Sequence, residues 1–297
     1  MGTPDYATCI LESLLEKHEI VALITQEDKK AGRDMKLKMP STKALILSKN
    51  LDIPIFQPKI LDETFVNELK KIPCDVIIVA AFGKILPKSI LEMAPCVNLH
   101  ASLLPKYRGA SPIQESILQG DKFFGVTLMQ MEEGLDSGDI LAFCVIKNSH
   151  QDSFMLFDEL SKMAAKLTLD YLEKFFKMQS YSQIACDKSV VRKIKKEFGL
   201  VDFSDAKILE RKALAYASWP EIFLEKGLKL RGVFEEKSRQ GQGFKKGEIL
   251  EIEKDSVLVG CKKGAVWIKE LQAPSKKALC SFQYLQGKRL QVGDILE

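Results

Sequence analysis

No apolar run in the sequence approaches the ~18–20 residues of a membrane-crossing helix, so no transmembrane segment is expected. The amino terminus also lacks the charged-then-apolar pattern of a secretory leader. Cysteines are few and scattered. The seven, Cys9, Cys74, Cys96, Cys144, Cys186, Cys261 and Cys280, are odd in number and show no paired ligand spacing. That pattern gives no zinc or other metal site and points to reduced thiols, most of them small core residues, in a cytoplasmic protein. Histidine is scarcer still, at three residues. Of these, His150 lies in a polar turn with no chemical companion and reads as structural. A large excess of either charge is absent too, since 44 Lys+Arg oppose 40 Asp+Glu. The near balance hides a division: residues 1–187 carry 21 against 25, a balance of −4, and residues 188–297 carry 23 against 15, a balance of +8. Such asymmetry fits a polyanion-binding module appended to an enzyme, or simply a solvated basic face.

What is present suffices for a sizeable core. With 46% hydrophobic residues over 297 positions, the chain has room for two domains. Ile10, Leu11, Leu14 and Leu15 predict an amphipathic helix over 6–17, followed by a strand over 19–25. The lysine-rich stretch 26–39 has little periodicity and reads as a long mobile loop. Helices over 41–50, 63–71 and 88–93 then alternate with strands over 53–56, 75–81 and 96–99. Apolar β-branched runs interleaved with helices predict an α/β fold with a doubly wound, mostly parallel sheet. A helix over 111–119, strands over 125–131 and 139–146, and a long helix over 153–178 complete it, and the polar, basic stretch 180–198 reads as a linker. Beyond it a short helix over 206–216 precedes strands at 228–234, 247–252, 256–260 and 265–271, spaced as in a small barrel.

The densest chemistry lies in Val97-Asn98-Leu99-His100-Ala101-Ser102-Leu103-Leu104-Pro105-Lys106-Tyr107-Arg108-Gly109. Two-residue alternation puts Asn98 and His100 on one side of the strand. Pro105 and Gly109 force an irregular loop at its end, where α/β proteins place ligands. Downstream, Gly134-Leu135-Asp136-Ser137-Gly138-Asp139 presents a carboxylate on a tight turn. A carboxylate beside His100 would hold the ring protonated and oriented. Each residue alone has a bland reading: His100 as a satisfied structural histidine, Asn98 as a turn former, Asp136 as a loop cap. Together, amide, imidazole and carboxylate make a plausible catalytic trio.

These residues also carry a resemblance. Asn98-x-His100-x-Ser102-Leu103-Leu104-Pro105-x-Tyr107-Arg108-Gly109, with the Asp136 turn downstream, is similar to the folate-dependent formyltransferases. Within them the chain resembles the methionyl-tRNA formyltransferases, because Ala31-Gly32-Arg33, Phe56-Gln57-Pro58, Ala81-Phe82-Gly83-Lys84-Ile85-Leu86-Pro87 and Trp219-Pro220 fall in the family's order. The match spans nearly the whole chain. It implies a Rossmann-like catalytic domain over 1–179, a linker over 180–201 and an OB-like β-barrel over 202–297 that binds tRNA. It implies 10-formyltetrahydrofolate as co-substrate, with no metal, its pteridine near Phe82, Gly83, Ile85 and Leu86 and near Ser102, Leu103, Leu104 and Pro105. A flat apolar ring calls for apolar walls with a few backbone polar groups; for Ile85 and Leu86 ordinary core is the alternative. It implies contact between the basic loop, including Lys30, Arg33, Lys36 and Lys38, and the acceptor end of initiator methionyl-tRNA, with solvation as the alternative. Lys245, Lys246, Lys262 and Lys263 carry the same two readings. A monomer is expected.

In the implied reaction the amine of the aminoacyl ester attacks the formyl carbon. Asn98 and an imidazolium His100 donate to the formyl oxygen, and Asp136 orients His100 and accepts the amine's proton. Two other readings stay open: a formyltransferase acting on a purine precursor ribonucleotide or an amino sugar, and a non-catalytic RNA-binding protein that kept the fold. The basic loop and basic carboxy-terminal half argue against the first. Finally, Met1-Gly2-Thr3-Pro4-Asp5-Tyr6-Ala7 resembles the glycine loop that in the family follows a first, central strand, which is missing here. Its loss leaves backbone groups unpaired along a buried edge and opens a groove through the core. The expectation is a true start roughly ten residues upstream, and the alternative is a real variant with a weakened sheet.

Overall fold

A computed structural model describes residues 1–31, 35–174 and 178–297. The chain divides into two compact units: Met1–Pro112 with Phe123–Lys147 and Phe157–Arg192, and Ile113–Lys122 with Asn148–Leu156 and Lys193–Glu297. Among the described residues no helix is long and apolar enough to cross a membrane.

In chain order, α1 (Asp5–Leu15) starts behind Pro4 with Asp5 in its first turn, and it buries Tyr6, Ala7, Ile10, Leu11 and Leu14 at helical spacing. After β1 (Leu23–Ile24), the stretch expected as a mobile loop forms a hairpin instead. There β2 (Lys29–Ala31) pairs antiparallel with β3 (Lys36–Lys38), Lys30 opposite Leu37. Strands of three residues, mostly lysine, are too short for alternation to register, which is why the sequence reads as coil. Next come α2 (Ser41–Ser48), β4 (Ile55–Phe56) and α3 (Glu63–Leu69), where the Asp62 side chain accepts the Phe65 N–H at 3.0 Å as an N-cap. Then follow β5 (Ile77–Val79), α4 (Lys88–Leu91), β6 (Cys96–His100), β7 (Arg108–Gly109), α5 (Pro112–Gln119), β8 (Phe123–Gln130), β9 (Ile140–Lys147), α6 (Ser153–Glu173) and β10 (Val190–Val191).

The main sheet of the first unit has the order β5-β6-β8-β9. It corrects the expectation of a mostly parallel sheet: only β5–β6 is parallel, whereas β6–β8 and β8–β9 are antiparallel. The chain turns straight back through the Asp136 turn from β8 to β9, and a tight return of this kind gives an antiparallel pair. β9 is an edge strand that leaves Phe143 and Val145 exposed, one solvated face being a freedom of antiparallel sheets. A separate parallel pair, β1–β4, lies in another sheet. Met1 and Gly2 connect the two: Gly2 N donates to Ile24 O at 3.0 Å, Ala80 N to Met1 O at 2.9 Å, and the buried Met1 amine to Ile78 O at 2.6 Å. A cleft of about 1050 Å³ lies there, lined by Leu11, Leu14, Val21, Leu23 and Ile78 among others. Ile24, Phe65, Val79, Phe82, Leu86 and Ile90 belong to the core beside it.

The second unit corrects the barrel. After α7 (Ala206–Ala215), capped by Asp205, it contains β11 (Ile222–Phe223), β12 (Lys229–Glu235), β13 (Ile249–Ile252), β14 (Val257–Gly260), β15 (Ala265–Gln272), β16 (Leu279–Cys280) and α8 (Ser281–Lys288). The strands form an open antiparallel sheet in the order β11-β12-β15-β14-β13, with β16 beside β15. No sheet among the described residues closes into a barrel. Closure fails because each end strand meets a different partner. Val201 N donates to Phe223 O on β11, while Ile249 N donates to Asp294 O, and Leu296 N bonds Gly247 O just before β13. Both edges are covered by neighbouring chain, which removes the unpaired rows that would drive them together.

Candidate active site

Strand β6 is buried along its whole length, and its alternation places Asn98 and His100 on one face, 9% and 6% exposed. Across the sheet Asn98 is in register with Met129 and His100 with Thr127 of β8. The turn after β8 brings Asp136 to the same place, with the residue itself in the left-handed region at φ 47°. Its carboxylate accepts from Asn98 Nδ2 at 3.3 Å and from the Gly109 N–H at 2.8 Å, and lies 3.7 Å from His100 Nδ1. The last distance is that of an ion pair and too long for a hydrogen bond. His100 Nε2 is 2.9 Å from the Tyr107 carbonyl. A carbonyl oxygen only accepts, so Nε2 carries its proton and Nδ1 is the ring nitrogen turned toward Asp136. The trio read from the sequence is therefore one cluster in space. His18 and His150 are exposed and stand apart from it.

The loop after β6 is held by a residue that sequence reasoning missed. Thr127, 1% exposed, donates through Oγ1 to Ser102 O at 2.6 Å and accepts the Leu104 N–H at 3.1 Å. A lone hydroxyl inside the apolar run 123–129 was the available signal. Ser102 Oγ is committed to its own loop, donating to Lys106 O at 2.6 Å. Ser102 and Leu104 are buried, and Leu103 and Pro105 are half-buried. On the neighbouring segment, Phe82 and Leu86 are 2% exposed and pack in the core, whereas Ile85 is 74% exposed. Gly83 takes φ 74°, and a Cβ there would meet Gln26 Nε2 at 2.6 Å. The same Gln26 amide donates to Phe82 O at 2.7 Å, tying this turn to the base of the β2–β3 hairpin.

That hairpin carries Lys30, Lys36 and Lys38, all with exposed side chains, while Arg33 lies outside the described residues. Its base is anchored by Gln57, the central residue of the Phe56-Gln57-Pro58 motif, whose amide donates to Gln26 O at 2.7 Å and to Asp28 Oδ1 at 2.8 Å. Lys43 adds an ion pair to Asp28 at 2.9 Å. These two partners, Gln57 first, hold the Asp28 carboxyl below the usual carboxylate range.

Within the stretch read as a linker, residues 181–191 form a strap across the site. Tyr181 exchanges backbone hydrogen bonds with Ile140 at 2.8 and 2.9 Å. Further on, Tyr107 N donates to Ser189 Oγ at 2.8 Å, and β10 pairs parallel with β7. The approach is close enough that a Cβ on Gly109, at φ 112°, would lie 2.4 Å from Val191 O. Low apolar periodicity hid the strap, because its hold is through backbone and polar groups. Among the described residues no group of three or more His, Cys, Asp or Glu side chains is placed to hold a metal ion. The seven cysteines are free, and burial pushes the Cys96 and Cys261 thiols up to about 12.

Comparison with known proteins identifies the family. The formyl transferase family profile matches residues 1–166, and the profile of the formyl transferase C-terminal domain matches residues 193–289. A methionyl-tRNA formyltransferase of Nitratiruptor sp. is 50% identical over 99% of this chain and 97% of its own length. One of Helicobacter pylori is 50% identical over 100% of this chain and 98% of its own. Among solved structures, an N-formyltransferase of Helicobacter canadensis, in complex with folinic acid and dTDP-3-aminofucose, shares the fold at TM-score 0.67 and 16% identity, covering 91% of this chain and 97% of its own. HypX of Aquifex aeolicus shares it at TM-score 0.62 and 20% identity, covering 93% of this chain and 49% of its own. With two family profiles along its length and half its residues shared with such relatives, the chain belongs to the methionyl-tRNA formyltransferase family.

Proposed function

We propose that the protein transfers the formyl group of 10-formyltetrahydrofolate to the free amino group of methionyl-initiator tRNA, giving N-formylmethionyl-tRNA for translation initiation. The observation that carries this reading is the convergence of Asn98, His100 and Asp136 at one buried strand end. 10-Formyltetrahydrofolate supplies the activated formyl carbon. The surroundings suit a flat, largely apolar ring: exposed Ile85 and half-buried Leu103 and Pro105 give apolar surface, and the backbone around Gly83 and Ser102 gives polar groups. Phe82, Leu86 and Leu104 support those walls from within the core.

As the amine adds to the formyl carbon, negative charge gathers on the formyl oxygen, which needs donors. Asn98 has a second amide N–H beyond the one directed at Asp136, and His100 has Nδ1. Since Nε2–H is spent on the Tyr107 carbonyl, His100 donates to the formyl oxygen only when both ring nitrogens are protonated. Each preorganised donor of this kind is worth about 10²- to 10³-fold in rate. The attacking nitrogen becomes cationic and gives its proton to Asp136, directly or through water. The oxyanion then collapses, the bond from the formyl carbon to the tetrahydrofolate nitrogen breaks, and that nitrogen takes up the proton released by the amine, through Asp136 or water.

Residues 1–179 form the catalytic part in this reading, and 202–297 the part that binds tRNA. Lys30, Lys36 and Lys38 on the hairpin, with Arg33 between them in sequence, guide the acceptor end through its phosphates. The protein acts as a cytoplasmic monomer. The test is to incubate it with 10-formyltetrahydrofolate and either charged initiator tRNA or small amines, and to follow the folate product. Turnover with the tRNA alone is expected; turnover with an amino sugar or an amino nucleotide instead, or no turnover at all, rejects the assignment.

A further inference from the structure

We infer that Gln183, in the strap across the site, is a positioning residue that holds the Asp136 turn in its working geometry. The inference rests on the reading of Asp136 as proton acceptor and partner of His100. Gln183 Nε2 donates to Asp136 O at 2.9 Å and to Gly138 O at 2.8 Å, clamping the turn at two carbonyls on either side of Ser137. On the other side, Arg108 Nε and Nη2 donate to Gln183 Oε1 at 3.0 and 2.7 Å. This fixes which way the amide faces. A guanidinium has only donors, so the amide oxygen must turn to Arg108 and the two N–H groups must turn to the carbonyls. One side chain thus joins the loop that supplies Gly109 N, a donor to the Asp136 carboxylate, to the turn that carries Asp136 itself.

The clamp matters because the turn does not hold itself. Asp136 is a non-glycine residue at φ 47°, a conformation that persists only where the surroundings over-determine it. Its backbone direction sets where the carboxylate points, and His100 Nδ1 is reached at 3.7 Å without a hydrogen bond. A small rotation of the turn would move the carboxylate off both the ring and the incoming amine. Neighbouring ties have other tasks: Ser137 Oγ donates to Glu132 at 2.5 Å, and Ser180 Oγ to Asp139 at 3.1 Å, neither of them at Asp136.

The test is steady-state formylation of methionyl-tRNA by Gln183→Leu and Gln183→Glu, each made in the wild-type and the Asp136→Asn background, with thermal unfolding of all variants. Gln183→Glu keeps an acceptor for Arg108 but loses both donors, and it reports if Gln183→Leu fails to fold. A misplaced catalytic group costs up to about 10²-fold, so each substitution is expected to lower kcat about tenfold, with KM for folate and tRNA within about twofold. In the Asp136→Asn background the further loss is expected to stay under about twofold, since residues acting through one another are not additive. Unchanged kcat in both variants, or equal loss in both backgrounds, overturns the role of Gln183 while leaving the site reading in place. Wild-type turnover by Asp136→Asn itself overturns the site reading, and this inference with it.

Discussion

The sheet that carries the site and the sheet of the second unit differ in how much polarity they bury and in how it is held. In the first, Asn98, His100, Ser102 and Thr127 are all less than a tenth exposed, on or beside adjoining strands. In the second, the interior is Leu230, Val233, Ile249, Val259, Val266 and Ile268, and the charged pairs stay toward the surface, as where Arg231 meets Glu221 at 2.6 Å. An unsatisfied buried polar group costs about 1–3 kcal/mol, so a sheet that collects several needs a network to hold them. Here the network runs Gln183–Asp136–Asn98 and Gly109 on one side, Thr127–Ser102 on the other. The second sheet needs less of one: Ser281, buried beside it, is satisfied by donating to Ile268 O at 2.7 Å, and its edges are covered by backbone. The buried cluster of Asn98, His100 and Asp136 with its supporting network thus lies within the first unit.

Breaking the network at its centre gives the largest effect. Asn98→Ala and Asp136→Ala are expected to lower turnover at least about 10²-fold with the fold intact, measured by formylation rate beside circular dichroism. Thr127→Val keeps the shape but leaves the Ser102 carbonyl without its donor, and should cost about 1–3 kcal/mol in urea unfolding together with a smaller loss of rate. Replacing Lys30, Lys36 and Lys38 with alanine together tests the charge of the exposed hairpin. Folate binding should stay unchanged, while the slope of log K for tRNA against log salt falls by about 2–3. An unchanged slope would assign these lysines to solvation.

The smallest effect lies in the second sheet. Glu236 accepts from Ser238 N at 2.9 Å and Trp267 Nε1 at 2.7 Å, and these bonds lower its carboxyl from 4.5 to about 2. A carboxyl depressed on folding adds stability above its unfolded value, which is lost as pH falls from about 4.5 toward about 2. Melting of wild type and Glu236→Gln should therefore differ at neutral pH and converge across that window. Curves that stay parallel would mean the bonds contribute nothing.

Much of the site was legible because its chemistry sits on a strand. The alternation of Asn98 and His100 and the glycines around Asp136 announce a shared face and a tight turn without any contact being known. What holds those residues was not legible. Gln183 acts through an amide in a stretch with no periodicity, and Thr127 is one hydroxyl in an apolar run, so neither changes the hydrophobic pattern that makes strands readable. The same limit explains the fold errors. Strand spacing from 228 onward shows that strands exist, but whether their ends meet depends on Leu200–Val201 and Asp294–Leu296 pairing at the edges, far away in sequence. Likewise the direction of β8 follows from tertiary pairing that an apolar run cannot encode. Phe82 and Leu86 carry the resemblance yet face the core, since sequence order does not say which side of a turn a side chain takes.

The central claim is that His100 is a donor to the reacting formyl oxygen rather than a structural histidine held by Tyr107 O. The direct measurement is single-turnover formylation of methionyl-tRNA by His100→Ala, with folate affinity determined by equilibrium titration on the same preparation. The account predicts a rate lowered by at least about 10²-fold with folate affinity within about threefold of wild type. A near-normal rate from a folded, folate-binding His100→Ala protein would contradict it.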